Sequence, residues 1–258
     1  MGRWRAAAGC FLLLIAASNV RSTPAPWVVQ FDANSPPTMY RSNEGLAEGL
    51  YPALVREAFQ RMQRPVEVRA VPFKRLMRDL QSGRSAAGGV VWTSGRDTFA
   101  AFSAPYFVEH IEVFSRPGGA PRFTRLDDLR GRRVGVVRGW SYGDGLDKRS
   151  TAADWQVEEV DSDIQNLSKL ASGRLEYALV NRLAADMLIR DPRFAMLVRG
   201  QAPAVEIGIH LALPRGRADE ALLREFDDHM AAMQTDGTVA RLEAEARRDL
   251  NDARASAR

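Results

Sequence analysis

A five-residue pattern recurs at the ends of two predicted helices. Leu80-Gln81-Ser82-Gly83-Arg84 and Leu170-Ala171-Ser172-Gly173-Arg174 agree at four of their five positions. In both copies the glycine can cap a helix in the left-handed conformation, and an apolar strand follows within a few residues. Because both copies occupy the same place in a strand, helix, strand order, the chain is predicted to contain two α/β lobes of similar build.

A cluster of proline and glycine separates the two predicted lobes. The run Arg116-Pro117-Gly118-Gly119-Ala120-Pro121 breaks the pattern after a predicted strand at Phe107 to Ser115. A second long strand, Val205 to Leu213, is predicted to cross back, so that one lobe is inserted into the other. The predicted lobes are residues 23–115 with 205–258 for lobe 1, and residues 116–204 for lobe 2.

The first residues have the features of an export signal. Arg3 and Arg5 precede an apolar run from Ala6 to Ala17, and small residues follow. That run is shorter than the roughly 20 residues that a membrane span needs. We therefore predict a signal peptide over residues 1–22, cleaved between Ser18 and Thr23.

Composition excludes several functional classes for the mature chain. The only cysteine, Cys10, lies inside the predicted signal peptide, so we expect no disulfide and no cysteine metal site. Three of the arginines that give the chain its net charge of +4 precede the cleavage region, which leaves about +1 and no electrostatic case for nucleic acid. We predict no metal, no cofactor and no catalytic residue, because no metal-spaced cluster, phosphate loop or Ser/His/Asp arrangement is present. An exported chain of this size without disulfides fits the bacterial periplasm.

An arginine follows one of the predicted buried strands. The apolar run from Ala86 to Trp92 ends at Thr93, and Arg96 comes three residues later. Ligands of open α/β sheets bind beyond the carboxyl ends of strands, and a guanidinium matches a carboxylate with two parallel hydrogen bonds. Arg96 is thus a candidate anchor for a carboxylate, and the alternative is an ordinary surface ion pair with Asp97.

Several short motifs extend this interpretation over nearly the whole mature chain. They are Pro36-Pro37, Gly49-Leu50-Tyr51, Leu80 to Gly83, Thr93 to Arg96, Phe102 to Tyr106, Asp128 to Val136, Gly139, Leu170 to Arg174 and Asp236 to Thr238. In this order and spacing the chain resembles the type II periplasmic substrate-binding proteins, most closely the family 3 extracellular solute-binding proteins of amino-acid ABC importers. The resemblance implies a two-lobed α/β fold, each lobe a mixed sheet flanked by helices, joined by a two-strand hinge with a ligand cleft between the lobes.

The resemblance also implies a set of ligand-binding residues. Arg96 falls on the position that binds the ligand α-carboxylate, assisted by the backbone N–H groups of Val91 and Ser141, although Ser141 could also be a plain helix cap. The remaining candidates are Phe73 as an aromatic wall, Asp32 as a polar group above the ligand side chain, Trp140 and Tyr142 as the opposite wall, and Asn181 at the ammonium position.

Two departures from the family pattern bear on the ligand. Asn181 stands where amino-acid binders carry an aspartate that pairs with the α-ammonium, and Gly89 and Val91 stand where serines are common. A buried ammonium without a counter-charge is costly. The sequence therefore predicts a carboxylate-bearing ligand other than a standard α-amino acid.

The predicted function is that of a monomeric periplasmic solute-binding protein serving an ABC permease in the inner membrane. Two alternatives remain open. The protein could be a partner of a ligand-sensing receptor, or a dehydratase-like enzyme on the same scaffold, for which Asp32, Asp144 and Glu176 are the candidate general acids.

Overall fold

The computed structural model describes residues 25–151 and 154–256, and the predicted signal peptide lies outside this part of the chain. The strands are β1 Trp27–Asp32, β2 Asn34–Ser35, β3 Met39–Arg41, β4 Ala47–Glu48, β5 Val66–Val71, β6 Ala86–Val91, β7 Ala100–Phe102, β8 Phe107–Ser115, β9 Arg133–Val137, β10 Gln156–Val160, β11 Tyr177–Asn181, β12 Val198–Arg199 and β13 Val205–Pro214. The α-helices are α1 Leu50–Arg61, α2 Phe73–Gln81, α3 Ser94–Asp97, α4 Asp144–Thr151, α5 Asp163–Ala171, α6 Arg182–Leu188, α7 Glu220–Thr235 and α8 Thr238–Ser256. Short 3₁₀ turns lie at Leu126–Leu129 and Arg215–Arg217.

Most strands belong to one long mixed sheet, in the order β10-β9-β11-β8-β13-β6-β1-β5. Strands β5, β1 and β6 run parallel on one side, and β10, β9 and β11 run parallel on the other. Two groups of parallel strands with helices between them are the pattern that the repeated motif predicts. The protein has the two-lobed α/β fold of type II periplasmic binding proteins.

The two lobes are joined by a pair of long antiparallel strands. Strands β8 and β13 pair with each other from Phe107 to Ile111 and from Val205 to Ile209. Beyond this shared segment, β13 pairs with β6 of the first lobe, whereas β8 pairs with β11 of the second. The pair is the predicted two-strand hinge. The residue boundaries proposed for the lobes stay a prediction.

Each lobe has its own apolar core. The first is built around the fully buried rings of Tyr51, Phe59 and Phe226, where α1 and α7 cover the sheet. The second contains Phe123 and Tyr177, packed on the strands of the other side. Two separate cores leave the surfaces that face each other between the lobes available for a site.

Local differences from the sequence expectations are concentrated in short elements and near the cleft. Strands β2, β3, β4, β7 and β12 were not predicted, because two or three residues carry no readable periodicity. Trp92, the last residue of the apolar run that begins at Ala86, is 45% exposed. Within residues 25–151 and 154–256, no helix is long and apolar enough to cross a membrane.

Candidate functional site

A narrow pocket lies between the lobes, directly beside the hinge. Its walls include Phe73 and Arg96 from lobe 1, Trp140 and Ser141 from lobe 2, and Glu109 from hinge strand β8. The enclosed volume is about 20 Å³, roughly that of one water molecule. A wider cavity of about 440 Å³ adjoins it at Phe73 and contains Asp32. The narrow pocket thus has room for little more than a water molecule in this conformation, and separation of the lobes would enlarge it.

Arg96 lies in this pocket without an acidic partner. One of its terminal nitrogens donates to the carbonyl oxygen of Val91 at 2.9 Å. Asp97, the alternative partner, pairs with Arg215 at 3.1 Å. Among the described residues, no carboxylate lies within ion-pairing distance of the Arg96 guanidinium. Burial lowers the pKa of Arg96 and the charge of Asp147 raises it, but an arginine stays charged in both cases.

The local structure around Arg96 explains its position. Thr93 is the N-cap of the short helix α3, and its hydroxyl accepts from the Arg96 N–H at 3.1 Å. The guanidinium carbon lies 5.7 Å from the centre of the Phe73 ring, within cation–π range. Phe73 opens helix α2 and borders both cavities. The ring therefore borders the site and supports the arginine, and its role as a wall for a ligand stays a prediction.

Asp32 and Trp140 connect the lobes, Trp140 from the narrow pocket and Asp32 from the wider cavity beside it. The indole Nε1 of Trp140 donates to Asp32 Oδ2 at 3.4 Å, and the Ser35 hydroxyl donates to the same oxygen at 2.8 Å. Asp32 Oδ1 is buried and has no hydrogen-bond partner. Burial raises the pKa of Asp32 more than these hydrogen bonds lower it. Asp32 thus retains one unsatisfied acceptor beside the larger cavity.

Ser141 borders the pocket three residues before helix α4. Its hydroxyl donates to Asp147 Oδ2 at 2.5 Å and accepts from the N–H of Gly143 at 3.1 Å. The expectation that Ser141 lies at the helix start is wrong, since α4 begins at Asp144. The hydroxyl is engaged within its own loop, so a contact between Ser141 and a ligand would come from its backbone N–H.

Two other predicted residues do not border the Arg96 pocket. Tyr142 is buried in the lobe 2 core, and its hydroxyl accepts from the N–H of Val137 at 2.9 Å. The Asn181 side chain caps helix α6, accepting from Leu183 N at 2.8 Å and from Ala184 N at 3.3 Å. Its Nδ2 is buried without a hydrogen bond of regular geometry. Tyr142 therefore supports the pocket from behind, and Asn181 has a structural role as a cap.

Gly89 has a steric reason to differ from the serine expected by resemblance. Its φ is 71°, in the left-handed region, and an added Cβ would lie 2.7 Å from Met39 Sδ and 3.0 Å from the Tyr51 ring. Its N–H donates to the Tyr106 hydroxyl at 3.1 Å. Met39 and the Tyr51 ring thus fill the space that a side chain at this position would need, which leaves only the backbone of Gly89 at the pocket.

Glu109 is a pocket residue that sequence reasoning missed. Its side chain is only 4% exposed, whereas that of its neighbour Val108 is 50% exposed. The polarity of the two residues would predict the reverse. The Tyr51 hydroxyl donates to Glu109 Oε1. An acidic residue within the apolar strand sequence Phe107 to Ser115 was the available signal, since a buried charged residue is rare unless it is paired or functional.

The candidate general acids differ sharply in environment. Glu176 accepts from Arg132 at 2.9 Å, and Asp144 accepts from the N–H of Ser94 at 3.1 Å. Hydrogen bonding lowers the pKa of both carboxyls, which is opposite to what a general acid needs. Of the three, only Asp32 has a raised pKa. In the described part of the chain, no three His, Cys, Asp or Glu side chains are grouped to hold a metal ion.

Comparisons with known structures agree with this architecture. A histidine kinase sensor domain with similarity to periplasmic binding proteins aligns with a TM-score of 0.73 and 26% identity, over 85% of this chain and 95% of that one. An ancestral arginine-binding protein bound to arginine aligns with a TM-score of 0.71 and 22% identity, over 87% and 99% of the two chains. At such identity the second likeness concerns the fold alone.

Sequence comparisons identify relatives and a family. The L-cystine-binding protein TcyJ of Escherichia coli K12 is 27% identical over 215 residues, which cover 82% of this chain and 79% of TcyJ. The membrane-bound lytic murein transglycosylase F of Pseudomonas putida GB-1 is 26% identical over 93% of this chain, but over only 51% of its own length. The model of the bacterial extracellular solute-binding proteins, family 3, matches residues 27–246. The chain therefore belongs to family 3 of the bacterial extracellular solute-binding proteins.

Proposed function

We propose that the protein captures a small carboxylate-bearing solute between its lobes in the periplasm, for delivery to an ABC importer. The observation that carries the proposal is Arg96, a charged side chain that borders the pocket between the lobes without a carboxylate partner among the described residues. A partly buried cation of this kind is stabilised when a ligand supplies an anion at hydrogen-bonding distance. The guanidinium fork suits a carboxylate better than a halide or a neutral group.

The second lobe complements this anchor. The backbone at Ser141 and the Trp140 ring face Arg96 across the pocket. The hydrogen bond from Trp140 to Asp32 links lobe 2 to lobe 1, and the one from Ser94 N to Asp144 does the same on another side. A solute held between these surfaces would contact both lobes and shift the population toward the closed form. We therefore propose closure about the hinge as the binding step.

A thermal-shift screen tests the proposal. L-cystine, L-arginine, L-glutamine, L-glutamate and glutarate are each added to the wild type and to Arg96→Ala, because ligand binding to the folded state raises the melting temperature. We expect Arg96→Ala to weaken binding about 100-fold or more, the usual loss when a charge-assisted pair in a closed site is removed. Arg96→Lys keeps the charge but loses the fork, and we expect an intermediate loss.

A surface arginine provides the control for this screen. Arg69 pairs with Glu67 on the exposed edge of lobe 1, and Arg69→Ala should leave every ligand-induced shift unchanged. Circular dichroism of each variant confirms that the fold is retained. Equal stabilisation of the wild type and Arg96→Ala by the same solute would refute the proposed anchor.

Sensing is a second candidate function, favoured by the similarity to a histidine kinase sensor domain. A sensor partner and a transport protein would bind the solute in the same way and differ in what receives the closed form. Uptake of the radiolabelled solute by cells with and without the gene separates them. Uptake that depends on the gene supports delivery to an importer, and unchanged uptake supports sensing.

A further inference from the structure

Glu109 brings a negative charge into the pocket that also holds Arg96. It lies on hinge strand β8, opposite Ile207 of β13, and both residues border the pocket. The hinge belongs to both lobes, so a group held by Glu109 would stay near the axis of closure. Glu109 differs in position from the ammonium partner that the resemblance implies. That partner would lie at the end of strand β11, where this chain has Asn181.

The surroundings of Glu109 supply hydrogen bonds but no positive charge. The Tyr51 hydroxyl of α1 donates to it, and Asp163 at the start of α5 adds a second buried carboxyl nearby. Within the described residues, neither carboxylate has an arginine, lysine or histidine at ion-pairing distance. Glu112, three residues along the same strand, does have one, because Arg182 pairs with it at 2.5 Å.

Two polar atoms of this cluster are also poorly paired. Among the described residues, Asp163 Oδ1 and Asn181 Nδ2 have no hydrogen bond of regular geometry, and both residues are more than nine-tenths buried. Burial raises the pKa of Glu109 to about 7, while the Tyr51 and Asn181 side chains lower it. Burial and the charge of Glu109 raise the pKa of Asp163 to about 8. The other titratable groups facing Glu109 are the buried phenols of Tyr106 and Tyr142.

We propose that Glu109 is the counter-charge for an ammonium group of the bound solute, so that the solute is a zwitterion held between Glu109 and Arg96. This inference rests on the proposed function, because it assumes that Arg96 binds the carboxylate of the same molecule. It replaces the expectation, based on Asn181 alone, that an α-amino acid would lack a partner for its ammonium. The acid is present, but it is contributed by the hinge.

Without an ammonium partner, the Glu109 carboxyl is partly protonated. Near neutral pH a large share of Glu109 is protonated, since its pKa is raised to about 7. An ammonium that enters the pocket favours the carboxylate, and the proton passes to solvent. Affinity for the zwitterion should therefore rise with pH, by up to tenfold per unit below about pH 7, and level off above it.

The test compares amino acids with the same molecules lacking the amine. L-arginine is paired with 5-guanidinopentanoate, and L-glutamate with glutarate, using calorimetry on the full chain at about pH 7.5. For the pair that binds, we expect the wild type to bind the amino acid at least tenfold more tightly than the deaminated acid. Glu109→Gln should lose this preference, with little change in affinity for the deaminated acid. Glu112→Gln is the matched control and should keep it.

A double variant distinguishes the loss of the charge from a misfolded pocket. Glu109→Gln combined with Asn181→Asp moves the acid to the neighbouring strand end, and aspartate still caps helix α6. We expect this double variant to regain at least part of the preference for the amine. Calorimetry in two buffers of different ionisation enthalpy should also show proton release by the wild type near pH 6 and none by Glu109→Gln.

The results separate this inference from the proposed function. If glutarate binds as tightly as L-glutamate, or if Glu109→Gln keeps the preference, the Glu109 assignment is wrong while the Arg96 anchor stands. If Arg96→Ala binds every probe as the wild type does, the anchor is wrong as well. Absence of binding by all four probes would overturn both.

Discussion

Asp79 and Glu109 are two acids that are almost equally covered and behave in opposite ways. Asp79 is 5% exposed on helix α2, and Glu109 is 4% exposed on the hinge. Hydrogen bonds from Arg84 and Gln30 lower the pKa of Asp79 to about 2, whereas burial raises the pKa of Glu109 to about 7. The amount of covered surface is the same, so the supply of partners decides the charge.

The two acids are also shielded from solvent by different parts of the molecule. Asp79 is covered by the side chains of Arg75, Arg78 and Arg84, which are themselves 57–69% exposed, so solvent is close and screens the group. Glu109 is enclosed between the lobes at the hinge, where the other carboxyl that interacts with it is that of Asp163. An acid with partners from its own lobe stabilises the fold. An acid without them is poised for a partner from outside, and three predictions test this contrast.

The largest expected effect is on the pH dependence of stability without ligand. The folded pKa values of about 7 for Glu109 and about 8 for Asp163 exceed their ordinary values of 4.5 and 3.8. The folded state therefore binds protons that the unfolded state releases, and stability falls as pH rises from about 5 to 8. We expect each of the two carboxyls to contribute roughly 2 to 4 kcal/mol to the loss in the free energy of unfolding, measured by urea denaturation. Glu109→Gln should reduce this loss, and an unchanged pH profile would contradict the assignment.

The second prediction concerns the acid that has its partners. Asp79→Asn at about pH 7 should lower the free energy of unfolding by about 1 to 2 kcal/mol, because charge-assisted hydrogen bonds from Arg84 are lost near solvent. Its pKa is lowered, so this contribution is present above about pH 4 and is lost as pH falls toward 2. Asp97→Asn, in an exposed pair with Arg215, is the control and should change stability by less than about 0.5 kcal/mol. Equal losses from both substitutions would show that the arginine cover adds nothing.

Much of the fold could be predicted because long elements repeat their pattern over several turns or residues. The end of α2 is an example, since the glycine of the repeated motif, Gly83, predicts a helix end and the helix stops at Gln81. The reverse holds at the hinge, where Val108 faces solvent and Glu109 faces the cleft. Alternation on β8 places Glu109 on the same face as the buried Ile111 and Val113, whereas the polarity of the two residues predicts the opposite, because polarity indicates what packs inside one lobe and not what two lobes enclose together.

The same reasoning divides the site residues. Arg96 could be identified from the sequence because the end of a strand is recognisable from the neighbouring residues alone. In the structure Arg96 borders a pocket. Tyr142 was misplaced because a ring two residues from Trp140 can turn into either the cleft or the lobe core, and it packs in the core. Whether the pocket residues bind a solute stays a prediction for the screens described above.

The smallest expected effect belongs to Asp32, which lies between the two extremes. One of its oxygens accepts from Ser35 and Trp140, and the other is buried without a partner. Asparagine can retain both accepted hydrogen bonds through Oδ1, and it removes a carboxyl whose pKa is raised by burial. Asp32→Asn should therefore change the free energy of unfolding by less than about 1 kcal/mol at pH 7. Because burial raises the pKa of Asp32, protonation neutralises the acid as the pH falls, and the difference from wild type should shrink when the measurement is repeated at a lower pH. Urea denaturation at both pH values measures it. A loss as large as that of Asp79→Asn would mean that Asp32 is a fully partnered structural acid, and that a single unpaired oxygen does not mark an acid as available to a ligand.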